Sequence, residues 1–135
     1  MAIQLSVAVR NARLDAIETT AGTAAVLRFY TGTPPANCAT ATSGTQLASY
    51  TLASDWAANA ASGSKSFNNT PLSTTAGNTG TLGYYRLFDS TATTCHMQGT
   101  ITATGGGGDL TVDNTSVTSG QTINVTSWSI TDGNA

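Results

Sequence analysis

The amino-acid sequence predicts an all-β fold, a β-sandwich or jelly-roll-like domain, carrying one N-terminal α-helix. Three observations predict it. Thr is the commonest of the 135 residues, with 26 copies, and there are 14 Gly. Only 9% of residues are charged, against roughly 25% in an ordinary soluble domain. The branched Cβ of Thr suits a pleated surface, and Gly, Asn and Ser suit turns, so the composition favours many short strands. Finally, apolar residues recur with a period of two from residue 24 onward, whereas a helical spacing is confined to the N-terminal segment.

In that segment Ile3, Val7, Leu14 and Ile17 fall on one helical stripe, with Gly22 as a C-terminal stop, which predicts a helix over residues 5–19. Its charges oppose the helix dipole, with Arg10 and Arg13 toward the N-terminal half and Asp15 and Glu18 in the last turns. Such a helix is weak alone and needs a surface for its stripe, either its own sheet or a neighbouring chain. Arg10 interrupts the stripe, and burying an unpaired guanidinium is costly. Asp15 and Glu18 stand at the wrong spacing to pair with it, so its mate is expected on a distant loop or on another chain. Ile3, Val7, Arg10, Arg13, Leu14 and Ile17 are therefore the candidate partner-binding residues. The competing reading lays the helix on its own sheet, with Arg10 running to water along the seam.

Strands are predicted at 24–30, 46–52, 82–89, 95–104, 109–112 and 121–131. In the clearest, Cys95, Met97, Gly99 and Ile101 fall on one face and His96, Gln98, Thr100 and Thr102 on the other. Residues 33–37, 57–80 and 105–108 read as turns or loops. Residues 1–22 then form a helical segment on a β-sandwich of residues 23–135, a single domain overall. Low charge leaves strand edges poorly protected by Lys or Glu, so edge pairing into a homo-oligomer, a dimer or trimer, is expected.

Five basic residues and a net charge of −2 offer little to a phosphate backbone, so nucleic acid is not an expected partner. Residues 1–20 lack the pattern of a secretion signal and no stretch resembles a membrane span, so synthesis in the cytoplasm and no membrane partner are expected. The sequons opening at Asn68, Asn114 and Asn124 are what an Asn- and Thr-rich chain yields by chance.

Catalytic chemistry is sparse. Any triad must use His96, the one histidine, and its neighbour Cys95 would point to the opposite face of a strand. Asp55, Asp89, Asp109, Asp113 and Asp132 read as turn caps. Gly105 to Gly108 lacks the Lys and Ser/Thr of a phosphate loop. The chain is expected to be no enzyme and to hold no cofactor or metal. Cys38 and Cys95, 57 residues apart, are either cytosolic thiols or a disulfide formed after release from the cell. Trp56 and Trp128, with Tyr84 and Tyr85, are candidates for stacking on a sugar ring if exposed; the competing reading makes them core.

Three stretches, Met1 to Glu18, Asp89 to Thr100 and Gly105 to Ala135, resemble a small protein encoded among the structural genes of tailed phages and prophages. The resemblance spans most of the chain and is least at 57–80. It implies a virion component made in the host bacterial cytoplasm. Size and β-rich character are similar to capsid decoration, or cement, proteins, whose partner is the major capsid protein or another virion protein. A tail or fibre-associated role and a carbohydrate-binding β-sandwich are the alternatives.

Overall fold

A computed structural model describes residues 3–68 and 71–133. Residues 1–2, 69–70 and 134–135, which hold the start of the expected 1–22 segment, the end of the 23–135 segment and part of the Asn68 sequon, lie outside the described residues. The protein is mostly β-sheet with one helix near its N-terminus. Helix α1 (Val7–Ala21) is followed by β1 (Val26–Tyr30), β2 (Gln46–Thr51), β3 (Ser64–Ser66), β4 (Leu72–Thr75) and β5 (Gly80–Thr81). Then come β6 (Tyr84–Phe88), β7 (Cys95–Ala103), β8 (Leu110–Val112), β9 (Ser116–Val117) and β10 (Thr122–Thr131).

The helix begins two residues later than the apolar spacing suggests, because Ser6 caps it. The Ser6 hydroxyl accepts the Val9 N–H at 3.2 Å, satisfying one of the donors a helix start leaves unpaired. At the other end the Gly22 N–H closes on Glu18 O at 2.8 Å.

The strands run β2-β1-β6-β7-β8-β10-β3, with β4 also on β10, and β5 and β9 form a separate small pair. Two layers result. Leu27, Phe29, Leu47, Tyr85 and Leu87 of the β2-β1-β6-β7 half face Leu110, Val112, Ile123, Val125 and Trp128 of the β8-β10 half, all essentially buried. This is a β-sandwich-like core. Its far side is stitched as well: Leu47 O accepts the Gly77 N–H at 2.7 Å and Gln46 O accepts from the Asn78 amide at 2.9 Å. The Thr74 hydroxyl reaches Ser49 O at 3.3 Å. The outer edge of β2 is thus engaged within the chain, and α1 packs beside β3. An oligomer built on exposed edges, as the low charge suggested, would find these two occupied.

Residues 57–80, expected to be loop, contain β3, β4 and the start of β5. These strands are too short to show a period. Two of them owe their existence to β10, which pairs Ser129↔Ser66 to Thr131↔Ser64 with β3 and Thr122↔Thr75 to Val125↔Leu72 with β4.

One pair departs from antiparallel: β7 and β8 run parallel, Ile101↔Leu110 to Ala103↔Val112. Parallel neighbours ordinarily need a crossover of about a dozen residues or more, and here Gly105 to Gly108 replaces it. Gly105 and Gly107 have φ of +86° and +81°, and a Cβ on Gly106 or Gly108 would stand 2.7–2.9 Å from Thr102 atoms. The four glycines let the chain double back against β7.

A second, smaller buried layer lies outside the sandwich. All five residues of β6 are buried, Tyr85 and Leu87 facing the main core and Tyr84, Arg86 and Phe88 the opposite side. Residues 31–45 form a strap over that outer face. Its ends are tied by Thr31 N–H to Thr45 O at 3.0 Å and Thr45 N–H to the Thr31 hydroxyl at 2.9 Å, the closed ends of an Ω-loop. Beneath it Tyr30 stacks on Tyr84, ring centroids 5.0 Å apart. Arg86, 2% exposed, donates to Asn37 O at 2.9 Å, Thr40 O at 2.8 Å and Gln98 Oε1 at 3.0 Å. Its charge is thus met by carbonyl dipoles and not by a carboxylate.

Candidate functional site

The six residues of the helix stripe divide in the structure. Leu14 is 6% exposed and Ile17 packs against the main core, so these two face the chain's own sheet. Their assignment to a partner surface is corrected. Arg10 is half-buried on the same side, and its guanidinium donates to Asp132 O at 3.0 Å, with Nε buried and unpartnered. Arg13 forms an ion pair with the Asp132 carboxylate at 3.1 Å while staying 59% exposed. The acidic mate expected for Arg10 is not what it finds: the distant residue is Asp132, but its carboxylate goes to Arg13 and only its backbone carbonyl to Arg10. Ile3 and Val7 remain outside, 82% and 46% exposed, joined by Val9 at 46%. Val7 opens the helix on the same stripe, and Ile3 stands in the segment that precedes it.

What anchors the helix was not legible from its own residues. Lys65 on β3 has a fully buried side chain whose ammonium donates to Asp15 Oδ1 at 2.9 Å, Glu18 Oε2 at 3.1 Å and Ala58 O at 2.9 Å. All three of its protons are used. Desolvation works against the Lys65 charge, but the hydrogen bonds and charges of Asp15 and Glu18 outweigh it and raise its pKa. Asp15 is lowered, first by the Lys65 hydrogen bond and next by the Ala60 N–H. Glu18 Oε1 also accepts the N–H groups of Trp56 at 3.1 Å and Ala57 at 3.2 Å. The two carboxylates that oppose the helix dipole are thus the helix's fasteners. Deleting residues 1–20 would strand Lys65 uncompensated, so the helix is part of the fold and not a detachable arm.

Gly63 completes the clamp. It lies with Ser62 in a two-residue hairpin where both have positive φ, +75° and +52°, the pattern of a type I′ turn. Its N–H donates to Asn11 Oδ1 at 2.9 Å and its carbonyl accepts the Asp132 N–H at 2.8 Å. A Cβ there would come within 2.5 Å of Arg10 Nη1 and 3.0 Å of Asp132 O. Gly63→Ala is expected to destabilise the protein by about 1–3 kcal/mol, through the left-handed backbone and the displaced guanidinium. A urea denaturation curve checks it; a midpoint equal to wild type would refute the clamp.

Trp56 and Trp128 are 2% and 1% exposed, which corrects them as ligand-stacking residues: neither presents a ring face. They form one buried cluster with Phe67, Phe67 stacked on Trp128 at 4.3 Å and Trp56 edge-on to Trp128 at 6.2 Å. Their indole N–H groups are spoken for, Trp56 by Gly22 O at 3.0 Å and Trp128 by the Tyr85 hydroxyl at 2.9 Å. Tyr84 and Tyr85 are buried on opposite faces of β6.

Two shallow clefts flank this cluster. One, ≈ 380 Å³, is lined by Asp15, Glu18 and Asp55; the other, ≈ 320 Å³, by Tyr50, Leu52 and Asn68. The Asn68 amide is already held by Asp55. Among the described residues no three His, Cys, Asp or Glu side chains are grouped as a metal ion would need, and no helix is long and apolar enough to cross a membrane. No family model, curated protein or solved structure matches the chain.

Proposed function

We propose that this chain is a non-enzymatic virion structural protein, a decoration protein of a phage capsid, which docks on a capsid protein through the first turn of α1. One observation carries the reading. Among the described residues, the exposed large hydrophobic side chains are Ile3, Val7 and Val9, all within seven residues of chain: Ile3 in the segment before the helix, Val7 and Val9 on different sides of its first turn. Isolated apolar side chains on a surface need no explanation, whereas a cluster marks an interaction site. The rest of the helix is fixed by the Lys65 ion pairs and the Asp132 contacts, so Val7 and Val9 are held in place and little ordering entropy is lost there on docking. Arg13, 59% exposed beside it, supplies a cation to the rim. A tail or fibre-associated position would use the same surface. The burial of both indoles removes the feature that motivated a sugar-binding module.

Quantitative gel analysis of purified particles tests the placement: a decoration protein is present in tens to hundreds of copies, a tail component in far fewer, and absence from particles would end both. The surface is tested by the double substitution Val7→Glu and Val9→Glu. The variant is expected to keep its urea midpoint, because neither side chain is buried, and to lose incorporation into particles by at least roughly tenfold, the equivalent of about 1.4 kcal/mol. Wild-type incorporation would move the contact elsewhere.

A further inference from the structure

Cys38 and Cys95 are brought together from opposite directions. A β-bulge lies between Leu87 and Phe88 in the β6–β7 ladder, where Met97 pairs with Leu87 but Cys95, not His96, pairs with Phe88. The extra residue turns Cys95 away from the core face that Gly99 and Ile101 occupy and onto the outer face, beneath the strap. Cys38 arrives from the strap itself. It sits in a turn closed by Asn37 Oδ1, which accepts the N–H groups of Ala39 at 2.9 Å and Thr40 at 3.0 Å. The carbonyls on either side of it, Asn37 O and Thr40 O, are both gripped by buried Arg86. Gln98 Nε2 holds Pro35 O at 2.6 Å. The two sulfur atoms lie 2.9 Å apart, as thiols, and a closure of about 0.9 Å reaches the ~2.05 Å of a disulfide.

We propose that Cys38 and Cys95 form an oxidation site, an intramolecular disulfide that staples the strap to β7 whenever the protein meets a small-molecule disulfide such as oxidised glutathione. The inference is independent of the virion reading. Cys38 lies on the strap, above Cys95 on β7, so exchange starts at Cys38, while burial and the neighbouring sulfur push the Cys95 thiol up. Its thiolate attacks one sulfur of the small disulfide, forming a mixed disulfide and releasing one thiolate. Cys95, as it loses its proton, attacks the Cys38 sulfur and releases the second. Two protein thiols are oxidised, one small disulfide is reduced to two thiols, and the two protons pass to the released thiolates. Both cysteines are only half-buried, so the reagent need not wait for unfolding.

The experiment treats the native protein with excess oxidised glutathione and reads intact mass, thiol titre and melting temperature. The expected product is monomeric, lighter by two hydrogen masses and devoid of titratable thiol. It melts roughly 5–15 °C higher than the reduced form, because the bond closes a long loop in the unfolded chain. Peptide mapping joins Cys38 to Cys95. Cys38→Ser is expected to give no mass loss and no rise in melting temperature on the same treatment. Two persistent thiols, stable adducts carrying glutathione, or disulfide-linked dimers would each overturn the proposal, and the wild-type map decides it even if the variant fails to fold.

Discussion

Replacing Lys65 by Met is expected to lower stability by about 3–5 kcal/mol, because it removes the shared partner of two carboxylates and a carbonyl while leaving all three in place. The side chain itself is fully buried, whereas Asp15 is 41% and Glu18 20% exposed. Water can reach the orphaned carboxylates in part, which sets the expectation near the lower end of that range. Urea denaturation measures it, and a loss below about 1 kcal/mol would mean that the ion pairs contribute as little as surface ones do.

The same cluster fixes a pH dependence. Asp15 is depressed by Lys65 and the Ala60 N–H, so its contribution is present above the unfolded carboxylate value of about 3.9 and is lost as pH falls through its lower folded value. Lys65 is raised, so its contribution is complete below about 10.4 and lost as pH rises through the folded value. Between those limits this cluster leaves stability flat. In the Met variant the alkaline limb disappears and the acid limb shrinks to what the Ala60 N–H alone supports.

Trp128→Ala is expected to cost about 3–5 kcal/mol, the usual range for removing a buried aromatic side chain. It empties the space against Phe67 and Trp56 at the junction of sheet and helix. It also leaves the Tyr85 hydroxyl without its donor. Burial pushes that phenol up to about 12, against the opposing effect of the Trp128 hydrogen bond, so the substitution also removes what favours its ionised form. Trp128→Phe separates the two losses: it keeps much of the packing and forfeits the hydrogen bond, at about 1–3 kcal/mol. Tryptophan emission gives a second check, since both indoles should resist quenching by iodide in the native state. A surface-stacking role would instead give a near-neutral substitution and ready quenching.

Periodicity and composition determined the all-β class, the N-terminal helix and six of the strands, because each of those segments is long enough for its apolar alternation or stripe to register. The inward placement of Gly99 and Ile101 on β7 and the role of Gly105 to Gly108 as a connection between strands were legible for the same reason. Tertiary structure alone decided the rest. The short strands β3 and β4 carry no period of their own and exist because β10, far along the chain, pairs with both. Lys65, a lone charge among Ser and Gly, is buried because the helix lays two carboxylates over it. Those carboxylates looked misplaced against the dipole only because their partner is distant in sequence. One bulged residue turned Cys95 from the core to the strap, a shift that strict alternation cannot foresee, since an insertion reverses the face of every residue beyond it. Half of the helix stripe went inward and half stayed out. A sequence carries the period of a face, but where the opposing surface stops is a property of the packed molecule.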